Sequence, residues 1–263
     1  MPCIFLTKSM TILLLGHNGY LGSYLYSHLE GCTFVPDTVE NCDFIINCAA
    51  KSSLEFCEQN PSDSYQSNYG VLYSMSNRFP NAALINFSSY YVYDDSGFCN
   101  ETANINDTYS YTRHKILSER WTSNKKGVTF RLGKLFGHNA LNRQAKLTEF
   151  IINEDKITVD RVKFNPTSLR QVCEVVQKQL DGLGLRGVYN LSNKGHSSHY
   201  EYAKYINNFF GTDKKLTVVD KLPREFQNYG KFLMDTSKIS EQVTLTPWQK
   251  DLETYLGEIK CTA

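Results

Sequence analysis

At 263 residues, with 41% hydrophobic and 21% charged side chains, the chain is long enough to bury one large core, and its composition excludes a disordered tail protein or a disulfide-stapled miniature. Lysine and arginine number 28 against 27 aspartate and glutamate, a net charge of +1 with no block of like charges, so neither a nucleic-acid-binding face nor an anionic membrane partner is expected. The longest clear apolar run, Ile12 to Leu15, is far below the ~20 residues that span a bilayer, and Met1 to Ser9 lacks the features of a secretion signal.

Thr11–Leu15 reads as a buried parallel strand followed at once by glycines. Tyr20–Leu29 then places Leu21, Leu25 and Leu29 on one helical face. Cys32–Val35, Asp43–Asn47 and Ala83–Phe87 are further strands, with a polar, helix-compatible stretch over Pro61–Phe79. A helix over Tyr111–Trp121 leads to a strand at Val128–Leu132. Strands alternating with helices predict an α/β fold, a doubly wound parallel (Rossmann) sheet with right-handed crossovers, over residues 10–138. Beyond it come a helix near Thr148, another at Leu169–Leu180, a strand at Gly187–Leu191 and a helix at Tyr200–Phe210. Residues 139–263 are therefore expected to form mainly a smaller substrate lobe, partly interleaved with the first domain.

Eight cysteines (Cys3, Cys32, Cys42, Cys48, Cys57, Cys99, Cys173, Cys261) are scattered without a C-x-x-C pair. This pattern predicts reduced thiols in a cytoplasmic protein, with no zinc site and no disulfide framework. The sequons at Asn86, Asn100, Asn106 and Asn190 are expected to carry no glycan, because no secretion signal precedes them.

Gly16, Gly19 and Gly22 stand in G-x-x-G-x-x-G spacing between a strand and a helix. That arrangement suits a tight turn whose helix amides and dipole face a bound pyrophosphate. Asp37, just past the second strand, fits the acidic position that holds the adenosine ribose and favours NAD over NADP. The interval Val35–Asp43 is too short for the usual helix and strand, so an abbreviated adenosine pocket is expected.

Tyr111 and Lys115 are four apart on a predicted helix and so share one face. An ammonium beside a phenol is expected to lower the phenol's pKa and make it a usable proton donor to a carbonyl oxygen. Ser89, in the Phe87-Ser88-Ser89 strand end, would lie at the carboxyl edge where such sheets bind ligands. A second pair with this spacing, Tyr200 and Lys204, lies in the C-terminal half and is expected to be structural.

Together, Leu15-Gly16-His17-Asn18-Gly19-Tyr20-Leu21-Gly22, Asp43 to Ala50, Phe87-Ser88-Ser89-Tyr90-Tyr91-Val92-Tyr93-Asp94, Tyr111 to Glu119, Arg131 to Gly137, Phe164-Asn165-Pro166-Thr167 and Met234 to Lys238 resemble extended short-chain dehydrogenases/reductases, and among them dTDP-4-dehydrorhamnose reductases. The resemblance covers nearly the whole chain. It implies NAD(P)H-dependent reduction of a 4-keto-6-deoxy sugar nucleotide, with Tyr111 as proton donor, Ser89 on the carbonyl oxygen, and Lys115 holding the phenol and the nicotinamide ribose. Gly16, Asn18, Gly19, Tyr20, Leu21 and Gly22 would line the cofactor turn. Cys48, Ala49, Ala50 and Lys51 would cover the cofactor, and Tyr91 would meet the sugar. No metal is implied, and the resemblance leaves room for a homodimer.

Three departures stand out. Ser88-Ser89-Tyr90-Tyr91 replaces a common Ser-Thr-Asp-Tyr, the stretch before Asp43 is shortened, and Pro223-Arg224 stands where the reverse order is expected near the sugar-nucleotide site. Tyr90-Tyr91 argues against a 4,6-dehydratase, which places an Asp-Glu pair there. A 4-epimerase with the same Ser, Tyr and Lys, and a non-catalytic regulatory subunit of the same fold, are the competing readings.

Overall fold

The structure is a computed structural model that describes residues 9–94, 97–138, 146–220 and 232–262. Cys3 and the Pro223-Arg224 pair lie outside the described residues.

Four strands open the sheet: β1 (Met10–Leu15), β2 (Cys32–Phe34), β3 (Phe44–Asn47) and β4 (Ala83–Ser89). They continue into Val128–Leu132 and Gly187–Leu191, and every pairing is parallel. From one edge the order is Gly187–Leu191, Val128–Leu132, β4, β3, β1, β2. The chain leaves β1 for β2 on one side and then crosses to β3 on the other, so β1 and β3 flank the switch point whose carboxyl end is the ligand crevice of such sheets. The expected doubly wound parallel architecture is what the chain adopts.

The short interval after β2 has a definite outcome. Val35 donates to Ile12 O (2.9 Å) and Asp43 donates to Thr11 O (2.9 Å), so residues 35–43 pass β1 without the helix that a parallel crossover usually carries.

Each strand of the sheet interior is buried on both faces, which is why it reads as a continuous apolar run. Ile12, Leu14, Ile46, Ile85 and Phe87 pack with Leu21 and Leu25 of the helix α1 (Tyr20–His28) and with Leu169, Val172 and Val176 of the Leu169–Lys178 helix. The alternate residues Leu13, Leu15, Ile45 and Leu84 face Leu72 and Phe79 on the opposite side. A separate cluster joins Phe136, Ile151, Ile157, Phe164, Tyr202, Trp248 and Leu256. Leu180, Leu191, Ile239 and Leu245, late in the chain, belong instead to the sheet core.

The polar stretch expected as one helix over Pro61–Phe79 is broken into Leu54–Gln59, Pro61–Tyr65, a π-turn at Gln66–Gly70 and Val71–Arg78. Pro61 has no amide to continue the first segment and sits instead at the start of the second. The two-stranded pair Lys156–Asp160 with Lys215–Val219, and the long terminal helix Trp248–Thr262, carried no distinct pattern in the sequence. Seven cysteines among the described residues are free thiols, and no group of metal-ligating side chains occurs among those residues. Asn86 and Asn190 are fully buried, which closes those two sequons to a glycan. No described helix is long and apolar enough to cross a membrane.

Candidate active site

The site forms where β1, β3 and β4 end. Gly16 turns the chain after β1 at φ +76°, and a Cβ there would stand 2.6 Å from Ala49 N and 2.7 Å from Cys48 C. Only glycine allows the turn after β1 to press against the backbone after β3. Gly19 donates to Gly16 O at 2.9 Å. A Cβ on Gly22 would fall 2.2 Å from Gly16 O, so this glycine lets α1 start against the strand end. Gly19 caps α1 and has no side chain to close the helix entry.

The segment after β3 is held from below. Asn47 Oδ1 accepts from Ala49 N at 3.3 Å, and Asn47 Nδ2 donates to Asn86 Oδ1 at 2.9 Å. Asn86 in turn donates to Ser118 Oγ and Thr129 Oγ1. Both asparagines are fully buried, so each lost partner would strand a desolvated polar atom. Ala50 and Lys51 continue outward and are exposed. The Lys51 ammonium lies 5.5 Å from the centre of the Phe56 ring, and its carbonyl accepts from Asn68 Nδ2 at 3.2 Å.

Tyr111 and Lys115 lie on the helix Ser110–Asn124, both buried, on the one face that their spacing predicts, and that face meets the end of β4. Ser89 lies near enough to the Tyr111 phenol to favour its ionised form, and its Oγ accepts from Tyr91 N at 3.2 Å. Lys115 Nζ donates to Phe87 O at 2.9 Å. Burial pulls the Lys115 ammonium down from 10.5 to about 8, against the attraction of Cys48 and Glu119. Burial also raises the Cys48 thiol, which Lys115 partly offsets.

One expectation is corrected here. The Tyr111 phenol is raised, not lowered: burial dominates, Tyr91 and Cys57 add to it, and the bond from Ser89 opposes it. The Lys115 proton is directed at the Phe87 carbonyl rather than at the phenol, and its own charge is disfavoured by the same burial. The lysine therefore leaves the phenol neutral in this state, a form in which it can give up a proton.

The remaining expected residues are more dispersed. Tyr91 is half-buried and tilted against Tyr90, with ring centroids 4.3 Å apart, and it helps raise the Tyr111 phenol. Asp37 is exposed in the turn just beyond β2. Asn18 is exposed at the turn. Tyr20 opens α1 but directs its hydroxyl to Gly137 O at 2.5 Å, and Leu21 is buried in the sheet core. Both can meet a ligand only through the backbone of the turn. Tyr202, rather than Tyr200, is the fully buried tyrosine of its helix, and Lys204 is exposed, so the second Tyr/Lys pair builds no site.

Sequence reasoning passed over several neighbours. Ser88 Oγ and Asn68 Oδ1 are buried with no hydrogen-bond partner among the described residues. Asn68 also donates to Ser64 Oγ, which bonds His114 Nδ1 at 2.8 Å. Arg131 forms a two-pronged pair with Glu119 at 2.7 and 3.0 Å beneath the Tyr93 ring. No motif marks them, because each acquires its meaning only from a partner remote in sequence.

The glycine turn presses on the backbone of Cys48 and Ala49, at the same carboxyl end of the sheet that Ser89, Tyr111 and Lys115 meet.

Comparison with known proteins agrees with this geometry. The chain is 25% identical over 233 residues to the spore coat polysaccharide biosynthesis protein SpsK of Bacillus subtilis (strain 168), covering 82% of this chain and 79% of that protein. Among solved structures, a dTDP-4-dehydrorhamnose reductase of Bacillus anthracis str. Ames in complex with NADP superposes with a TM-score of 0.81 at 20% identity, over 95% of this chain and 99% of that one. The Clostridium acetobutylicum ATCC 824 dTDP-4-dehydrorhamnose reductase gives 0.78 at 23% identity, over 95% and 100%. A UDP-glucose 4-epimerase of Thermotoga maritima with UDP-glucose gives 0.76 at 16% identity, over 96% and 99%. These likenesses establish the shared fold. The family model described as the RmlD substrate binding domain matches residues 32–261, and the chain belongs to that family.

Proposed function

We propose that the protein is an NAD(P)H-dependent oxidoreductase that reduces the keto group of a 4-keto-6-deoxy sugar nucleotide, as its reductase relatives are named for doing. The observation that carries this reading is the buried Tyr111 phenol, which Ser89 influences, with Lys115 on the same helix face and its ammonium on Phe87 O, set at the carboxyl end of the sheet.

The backbone of Gly16, Asn18, Gly19, Tyr20, Leu21 and Gly22 would cradle the pyrophosphate. Cys48, Ala49, Ala50 and Lys51 would cover the nicotinamide half, and Asp37 would meet the adenosine ribose. A bound reduced nicotinamide supplies the hydride. The chain supplies placement and the proton. Ser89 donates to the carbonyl oxygen, and Tyr111, neutral and close to that hydroxyl, delivers its proton as the oxygen gains charge. Lys115, still charged below about pH 8, holds the nicotinamide ribose and stabilises the phenolate left behind. Tyr91 would bound the sugar next to Tyr111. The free thiols support a reducing, cytoplasmic setting, and the partner is a small sugar nucleotide rather than nucleic acid.

The test is loss of nicotinamide absorbance that depends on a 4-keto-6-deoxy sugar nucleotide, repeated with Tyr111→Phe. Turnover in the wild type falling at least about a hundredfold in the variant is expected. A folded protein that binds the cofactor but interconverts sugar nucleotides with no net oxidation would be an epimerase, and one that binds neither ligand would be a regulatory subunit.

A further inference from the structure

Lys134 lies just outside the catalytic set. Leu132 is in register with Ser89, so Gly133 and Lys134 continue past the same carboxyl edge, two positions beyond the catalytic serine. Gly133 lets the chain pack closely there, since a Cβ would fall 2.3 Å from Asn165 O and 2.6 Å from Thr167 Oγ1. Lys134 N then donates to Asn165 O at 2.9 Å, which fixes the start of the side chain.

The ammonium is fixed as well. Lys134 Nζ bonds His199 Nε2 at 3.2 Å and sits 5.5 Å from the centre of the Phe164 ring. His199 stacks on that ring, and its Nδ1 faces Asp160 Oδ1 at 2.7 Å. Asp160 is fully buried and also accepts from Val162 N. A carboxylate on one ring nitrogen and an ammonium on the other select the neutral tautomer that donates from Nδ1 and accepts at Nε2. The imidazole thus stands between the two charges. It orients the lysine through Nε2.

The surroundings are basic. Lys163 and His196, both exposed, border the two-residue ladder that joins 163–164 to 197–198. Glu201, the acid within their reach, bonds the Ser198 amide and hydroxyl at 2.7 and 2.9 Å. His196 also meets the exposed Phe98 ring at 6.1 Å, where the segment following β4 approaches the lobe. Within the catalytic set the cation is Lys115, and it is buried and directed at Phe87 O. A sugar carbonyl at Ser89 and Tyr111 would leave the rest of a sugar nucleotide, with its two phosphates, to extend past this edge.

We propose that Lys134, oriented by His199 and Asp160, is the phosphate-recognising residue for the diphosphate of the sugar nucleotide; the proposal rests on the functional reading above and assigns the substrate side of that site. Lys134 acts on binding and position, not on the hydride or proton step.

The experiment uses the full chain saturated with its reduced nicotinamide. Thymidine diphosphate and uridine diphosphate are titrated by calorimetry, with thymidine as the uncharged control. Lys134→Met is expected to weaken the tighter-binding diphosphate about tenfold or more, with nicotinamide affinity and thymidine binding unchanged. Lys134→Arg should restore most of the loss, and added salt should narrow the gap between wild type and Lys134→Met. In turnover the change should appear in KM rather than kcat. Equal diphosphate affinity in wild type and Lys134→Met, or a wild type that binds neither diphosphate more tightly than thymidine, would overturn the assignment. Keto reduction with KM unchanged in Lys134→Met would reject this subsite and keep the reductase; Lys134-dependent diphosphate binding without any reduction would do the reverse.

Discussion

Lys115 carries a charge that the fold disfavours, and replacing it by methionine exposes the cost. Burial takes the ammonium from 10.5 to about 8, and each tenfold loss of proton affinity is worth about 1.4 kcal/mol. The cofactor-free protein therefore bears a penalty of about 3.5 kcal/mol whenever the lysine is charged. The folded-state value is the lower one. Below pH 8 both the folded and the unfolded chain hold the proton, and the penalty is fully present. Between about 8 and 10.5 the folded protein releases its proton while the unfolded chain keeps it, so stability rises with pH. Lys115→Met removes the titration but also leaves the Phe87 carbonyl without its 2.9 Å donor, an offset of about 1–3 kcal/mol that does not vary with pH. Urea unfolding of the cofactor-free wild type and Lys115→Met should be compared from pH 7 to pH 10. Taking the difference between the two proteins cancels other titrating groups. The wild type should gain about 2–3 kcal/mol on the variant across that range, while the variant loses turnover throughout. A difference flat with pH would refute the claim that the buried ammonium is destabilised.

Two further substitutions test how the site is supported. Gly16→Ala places a Cβ 2.6 Å from Ala49 N at φ +76°; nicotinamide affinity, read by fluorescence titration, should fall at least about tenfold with a stability loss of about 1–2 kcal/mol, and wild-type affinity would mean that the turn does not cradle the cofactor. Arg131→Met strands the buried Glu119 carboxylate, its partner at 2.7 Å, and should cost about 3–5 kcal/mol in urea unfolding; Glu119→Met added to it should recover much of the loss, and a single-variant cost below about 1 kcal/mol would show the pair to be solvated.

Much of the fold was legible because it depends on local repeats. The apolar run at Ile12–Leu15 and the glycines behind it describe a buried strand feeding a helix wherever they occur. The Tyr111/Lys115 spacing needs only a helix to bring both side chains to one face, and the helix Ser110–Asn124 does so. The same rule marked Tyr200 and Lys204, and there the helix directs Tyr202 inward instead. Spacing specifies a shared face but not what that face meets. The phenol's raised pKa was likewise hidden, because it depends on burial in the folded chain, against the opposing influence of Ser89.

The sequence by itself determined the strand and helix alternation, the glycine turn and the four-residue spacing of tyrosine and lysine, all set by periodicity within a few residues. Only the tertiary structure decided that residues 35–43 cross β1 without a helix and that Asn47 and Asn86, 39 positions apart, hold the covering loop. It alone brought Lys134 to His199, 65 positions away. These contacts follow from the order of strands across the sheet and from how the two cores pack, and a one-dimensional pattern carries no record of which distant side chains will share one buried volume.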